Sequence, residues 1–102
     1  MQIIPIEKEL IPYAIEIELG GEVYRVEINY NLDFDFFTVN LLKGNEALAY
    51  GEKIVYGNKL FDAYKDSRFP DVDIIVKDIA NEETRVTWDN FQETIFLFVE
   101  EA

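Results

Sequence analysis

Carboxylates are the most numerous side chains able to do chemistry in this chain. Of its 102 residues, 21 are Asp or Glu, none is His and none is Cys. Without histidine the chain lacks the commonest general base and imidazole ligand. Without either residue the usual zinc and thiolate sites are excluded. Ser67 is the sole serine and has no imidazole to activate it, so a Ser-His-Asp arrangement is ruled out by composition. There is no glycine-rich phosphate loop. What remains is paired carboxylates, Asp33 with Asp35 and Asp71 with Asp73, spaced to bind a hard cation or to flank a glycosidic bond. Asn31-x-Asp33-x-Asp35 opens like a calcium loop, but the later ligand positions fall on Phe37 and Val39. In so acidic a chain such neighbours arise by chance, and turn residues are their expected role. A cation near Asp33 and Asp35 stays open as the alternative. The chain is expected to carry no catalytic residue and no cofactor, and not to be an enzyme.

The elements that must position these residues read as strands. Gly20-Gly21 separates two runs rich in β-branched and aromatic residues, the mark of a two-residue hairpin. That turn pairs Leu19 with Glu22, Ile17 with Tyr24, Ile15 with Val26 and Tyr13 with Ile28 on one face, and Glu16 with Arg25 on the other. One apolar and one charged face describe a half-buried antiparallel sheet, in which a one-residue slip would turn every apolar side chain into water. Asp35 to Leu42 forms a third strand, and Gly44-Asn45 a second hairpin turn pairing Lys43 with Glu46, Leu41 with Leu48 and Val39 with Tyr50. Gly51 marks a bulge in the strand that follows, Ala47 to Tyr56. Ile3 to Ile6, broken by Pro5, reads as an edge strand or arm, and Glu7 to Ile11 as one helical turn stopped by Pro12. Asp62 to Asp71 is the longest polar stretch and the candidate flexible loop, followed by strands at Val72 to Val76 and Thr94 to Val99. The expected architecture is all-β, one domain over residues 1–102, an antiparallel β-sandwich or partly open barrel of consecutive hairpins.

Charge narrows the partners. Nine basic against 21 acidic residues give a net charge of −12, which repels phosphate backbones and anionic bilayers. Neither nucleic acid nor membrane is an expected partner, whereas a protein with a basic patch is. The lack of cysteine leans only slightly toward an intracellular setting, because virion parts assembled in a bacterial cytoplasm lack it too. Met1 to Ile6 has no basic n-region or long apolar run, so no signal peptide is expected.

Apolar excess is the better functional hint. The last strand is apolar on both faces, with Ile95, Leu97 and Val99 on one and Phe96 and Phe98 on the other, and Phe34, Phe36 and Phe37 crowd together. Either these segments are central and covered on both sides, or they meet a partner. The residues expected to line that interface are Phe34, Phe36, Trp88, Phe96 and Phe98, and the last strand also offers an edge for pairing with a neighbouring chain. Lys53, Lys59, Lys65 and Arg68 cluster between the fourth strand and the polar loop, so a basic end opposite an acidic one is expected to favour ordered stacking, including in a homo-oligomer.

Three stretches carry a likeness to a known family. They are Ile11-Pro12-Tyr13 through Tyr30-Asn31; Val39 to Leu60, with Tyr50-Gly51 and Val55-Tyr56-Gly57; and Thr87-Trp88-Asp89-Asn90-Phe91 ahead of the apolar strand Thr94 to Val99. In these the chain resembles the small baseplate plug proteins of tailed bacteriophages and prophage elements. It departs from them at Gln92, where the family pattern leads to glycine. The resemblance implies a structural virion component of the tail baseplate, contacting hub, tube or spike proteins, with no catalytic residues to carry over. The competing expectation is a free-standing carbohydrate-binding module using Trp88 and Tyr64 as stacking platforms.

Overall fold

The computed structural model describes residues 2–64 and 66–101. Four strands, β2 (Tyr13–Leu19), β3 (Glu22–Asn31), β4 (Phe36–Lys43) and β5 (Glu46–Lys53), form a meander in the order β2-β3-β4-β5. The second sheet has the order β1-β7-β6, from β1 (Gln2–Ile3), β7 (Ile95–Glu101) and β6 (Val72–Asp78). Both sheets are antiparallel, share one apolar core and do not close into a barrel. No α-helix occurs among the described residues. The expected turn before Pro12 is a short 3-10 segment at Lys8–Leu10, and the Ile11–Pro12 peptide is cis.

The first hairpin has the expected register throughout, from Leu19↔Glu22 to Tyr13↔Ile28, with Glu16↔Arg25 on the outer face. Gly20 and Gly21 take φ of 61° and 89°, the left-handed pair of a type I′ turn whose twist suits the flanking strands. A Cβ on Gly20 would also lie 3.3 Å from the Asp71 nitrogen, so this turn seats against the chain entering β6.

The second hairpin departs from expectation. Lys43↔Glu46 pairs as read, but Leu41 lies opposite Ala49 instead of Leu48, and Val39 opposite Glu52 instead of Tyr50. Two irregularities, not one, interrupt β5. The first turns both Leu48 and Ala49 into the core, and Tyr50 is left exposed. Asn40 Oδ1 accepts the Gly51 N–H at 2.8 Å, which satisfies a backbone donor that the bulge removes from the ladder.

The strand that is apolar on both faces is central. β7 lies between β1 and β6, so it offers no free edge to a neighbouring chain, and that expectation is corrected. Its Ile95, Leu97 and Val99 enter the core. The outer edge of β6 is covered by the 57–60 segment: Gly57 and Leu60 donate to Val76 and Ile74 carbonyls at 2.7 Å, and Val76 donates to Asn58 at 3.0 Å.

Gln92 explains why glycine suits its position. Its φ is 68°, in the left-handed region that costs a residue with a Cβ, and its side-chain amide nitrogen is buried without a hydrogen-bond partner. Gln92→Gly is therefore expected to raise stability in urea unfolding, by about 0.5–1 kcal/mol. Gly20→Ala is expected to lower it by roughly 1–2 kcal/mol. That loss should exceed the loss for Gly44→Ala, because Gly44 shares the φ of 61° but faces open space. Equal losses at the two positions would show that the Asp71 contact carries no weight.

Candidate partner-binding surface

At one end of the sandwich the β3–β4 turn meets the segment leading into β7. Asn31 Oδ1 accepts the Phe34 N–H at 3.0 Å and opens the turn, and Asp35 closes it with a left-handed φ of 55°. The Asp35 carboxylate accepts from the Tyr30 hydroxyl at 2.6 Å and from the Trp88 N–H at 2.9 Å, and the Arg85 guanidinium lies 3.6 Å from its second oxygen. Arg85 also donates to the carbonyls of Phe34 and Asp35, at 3.1 and 3.0 Å. The turn is thus clasped to the 85–88 segment by main-chain and side-chain bonds together. Its two apolar side chains, Leu32 and Phe34, remain 80% and 73% exposed.

A second clasp stands beside the first. Asp78, at the end of β6, accepts from the Tyr56 hydroxyl in a short hydrogen bond and from the Glu82 and Glu83 N–H groups at 2.9 and 3.2 Å. It ties back the 79–83 loop, on which Ile79 is 82% exposed. Leu32 and Phe34 on one loop and Ile79 on the other thus stand where both loops meet the segment leading into β7, the first tied to it through Arg85 and the second through Glu83. Three large apolar side chains exposed on such loops make this end the candidate contact surface.

The five residues expected at an interface do not share a surface. Phe34 is on the exposed end. Phe36 is half-buried beside it, with the Lys53 ammonium 4.6 Å from its ring centroid. Trp88 is half-buried in an aromatic stack, 4.9 Å from Tyr30 and 5.9 Å from Phe37, and Phe37 lies 4.4 Å from Phe91. Lys8 covers Trp88, its ammonium 5.2 Å from the ring and bonded to the Trp88 carbonyl. Phe96 and Phe98 belong to the outer face of the other sheet, where Phe96 is half-buried and Phe98 only 3% exposed. The Lys77 ammonium sits 5.3 Å from the Phe98 ring and pairs with Glu100 at 3.5 Å, so a salt bridge spans that ring. Leu32 and Ile79 escaped the sequence reading. The available signal was a large aliphatic residue inside a turn cluster (Asn31-Leu32-Asp33) and another just beyond a strand-ending Asp.

The cationic end is not formed by the described residues. Lys59 pairs with Asp73 at 3.6 Å, Arg68 with Asp66 and with Glu46 at 2.9 Å, and Lys53 lies over Phe36. Lys65 is outside the described residues. The polar 59–74 segment encloses a shallow cavity of about 710 Å³, beside which Tyr64 stacks on Phe69 at 4.6 Å. This cavity lies at the Gly20 end and Trp88 at the other, so the two rings of the carbohydrate expectation do not form one platform. The carboxylates are engaged as well. Asp35 is committed to its clasp, Asp73 to Lys59, and among the described residues no trio of acidic groups is arranged to hold a metal ion.

Titration follows from the clasps. The Tyr30 hydroxyl first, then the Trp88 N–H, holds the Asp35 carboxyl below the usual carboxylate range. The same bond, with burial, pushes Tyr30 up to about 12. Tyr56 and the Glu82 and Glu83 N–H groups likewise lower Asp78. A depressed folded-state pKa contributes stability above the unfolded value and loses it as pH falls through the folded one, so both clasps should fail in acid, below about pH 4. Tyr30 has the opposite sign, its contribution lost as pH rises from its ordinary value of 10.0 through about 12. Trp88 is the single tryptophan and reports the first clasp directly. Its emission should hold constant from neutrality down to about pH 4 and then shift. Asp35→Asn should show an altered spectrum already at neutral pH. An unchanged spectrum in that variant would mean that the clasp does not order Trp88.

A family model described as "Cyanophage baseplate Pam3 plug gp18" matches residues 1–102. No curated protein and no solved structure matches the chain.

Proposed function

Because the chain belongs to the cyanophage baseplate plug family, we propose that it is a structural component of a phage or prophage tail baseplate, seated there through its clasped apolar end. The family supports the virion role, and the exposure of Leu32, Phe34 and Ile79 on hydrogen-bonded turns carries the assignment of the contact surface. A turn whose backbone is already held loses less entropy on docking than a free one, so three apolar residues carried on such turns suit a small anchor cluster. The partner is a hub, tube or spike protein whose facing surface is apolar at the centre and basic at the rim, to meet a chain of net charge −12. The protein acts by contact and not by catalysis, and it enters the particle from the bacterial cytoplasm. Phe36 and Trp88 support the end from beneath. Phe96 and Phe98 take part only if a second partner displaces the Lys77–Glu100 pair.

The test is incorporation into tails. Tail particles from an induced source strain are separated on a density gradient and analysed by mass spectrometry. The chain is expected at a fixed, low ratio to the tube protein. Its absence from particles, with free protein left in the lysate, would remove the baseplate reading. Leu32→Ser with Phe34→Ser should leave folding stability within about 1 kcal/mol, as for exposed positions, and cut incorporation at least several-fold. Normal incorporation of that variant would sink the choice of surface while leaving the baseplate role in place.

A further inference from the structure

The meander sheet ends in a strand whose outer edge no described residue pairs. β2 (Tyr13–Leu19) is the outermost member of β2-β3-β4-β5, and among the described residues no backbone hydrogen bond reaches its outer side. In a two-residue hairpin the residues flanking the turn exchange hydrogen bonds, and the pairs alternate from there. Leu19, Ile17, Ile15 and Tyr13 therefore direct their backbone groups to β3, and Ala14, Glu16 and Glu18 direct theirs outward. The other edges are closed or broken. The 57–60 segment covers β6, β1 is two residues long, and β5 carries two irregularities. β2 is the long regular edge that remains, a template for an added strand.

Burial shows that this end of the core stops short. Ile15 and Ile17 face inward but are only half-buried, whereas their β3 partners Val26 and Tyr24 are 3% and 1% exposed. One more strand beside β2 would cover them. Charge then selects the occupant. Glu16 and Glu18 are exposed on the outer face, and neither has an ion-pair partner among the described residues, since Arg25 opposite Glu16 turns to Glu27 at 3.4 Å. A second copy pairing antiparallel through β2 would set these glutamates against each other, which is destabilising between directly opposed strands. We propose that the outer edge of β2 accepts a strand from a different polypeptide, one in which basic residues alternate with apolar ones. The basic side chains meet Glu16 and Glu18, and the apolar ones cover Ile15 and Ile17. The same two glutamates that exclude self-pairing thus specify the partner. The inference does not depend on the apolar end or on the chain's place in a particle.

The experiment is amide hydrogen exchange by NMR on the purified full chain. The probes are a peptide of about eight residues, a normal strand length, alternating lysine and valine, a glutamate–valine counterpart, and the lysine–valine composition in block order. The alternating lysine peptide should slow exchange at Ala14, Glu16 and Glu18 about tenfold, a local protection, and the effect should fade with salt. The other two peptides should not act. Glu16→Lys with Glu18→Lys should reverse the preference toward the glutamate peptide. Glu16→Gln with Glu18→Gln, the milder pair should the reversal not fold, should lose preference for either. No protection at these three amides at millimolar lysine peptide would overturn the proposal, as would equal protection by the block-order peptide or undiminished lysine binding by the variants. Sedimentation of the free chain as a dimer with those amides already protected would overturn it too, by making a second copy the occupant.

Discussion

The Asp35 carboxylate joins two parts of the fold that the chain visits fifty residues apart, and the apolar end is organised around it. It takes the Tyr30 hydroxyl from β3 and the Trp88 N–H from the segment before β7, with Arg85 alongside. An ionised acceptor makes stronger hydrogen bonds than a neutral one, so a single carboxylate can hold both partners against solvent competition. Beneath it Tyr30, Trp88, Phe37 and Phe91 pack ring on ring. Tyr30 belongs to both the aromatic layer and the clasp, so the two meet in one side chain. Asp78 repeats the arrangement with Tyr56 and two loop N–H groups. Both aspartates are engaged by a tyrosine hydroxyl and by main-chain N–H groups, Asp35 by Tyr30 and Trp88 and Asp78 by Tyr56, Glu82 and Glu83.

This use of polar groups to fix apolar ones resolves an oddity of composition. A chain of net charge −12 with several large apolar side chains in water has two opposing tendencies, to repel copies of itself and to associate. The two are separated in space. Glu16 and Glu18 stand on the open flank of the meander, whereas Leu32, Phe34 and Ile79 stand at the clasped end. Long-range repulsion acts on every approaching copy, whereas short-range apolar contact is available only at the clasped end. Several basic residues are already engaged, Lys59 and Arg68 with acids and Lys8 and Lys77 over rings.

How much of this was legible in the sequence depended on how local its cause was. The first hairpin could be read pair by pair because two glycines fixed the turn and strict alternation fixed the faces. The second could not, because a bulge at Leu48 puts consecutive residues on the core side and no period-2 reading anticipates that. Gly51 did signal an irregularity, yet it hid that there were two. At the candidate surface, the exposure of Phe34 was legible because the residue stands in a turn. Trp88 and Phe98 were misjudged because what covers them comes from elsewhere: Lys8, eighty residues from Trp88 along the chain, and the Lys77–Glu100 bridge over Phe98. Composition announces aromatic side chains, but it does not say which cation will lie across them.

The last strand makes the same point about edges. Residues apolar on both faces admit two explanations, a central strand or a partner surface, and a one-dimensional pattern cannot separate them. Topology does. β7 gains β6 by an ordinary antiparallel pairing and β1 by the return of the N-terminus, so both its edges are filled and its outer face is capped by polar neighbours. The unfilled valence of the fold passes instead to β2, a strand whose alternation looked complete because its pairing with β3 is complete. A strand has two edges, and a hairpin satisfies one. Whether the second is satisfied depends on what the remaining chain can reach, and here Gln2 and Ile3 pair with β7, so that no described residue closes the outer edge of β2.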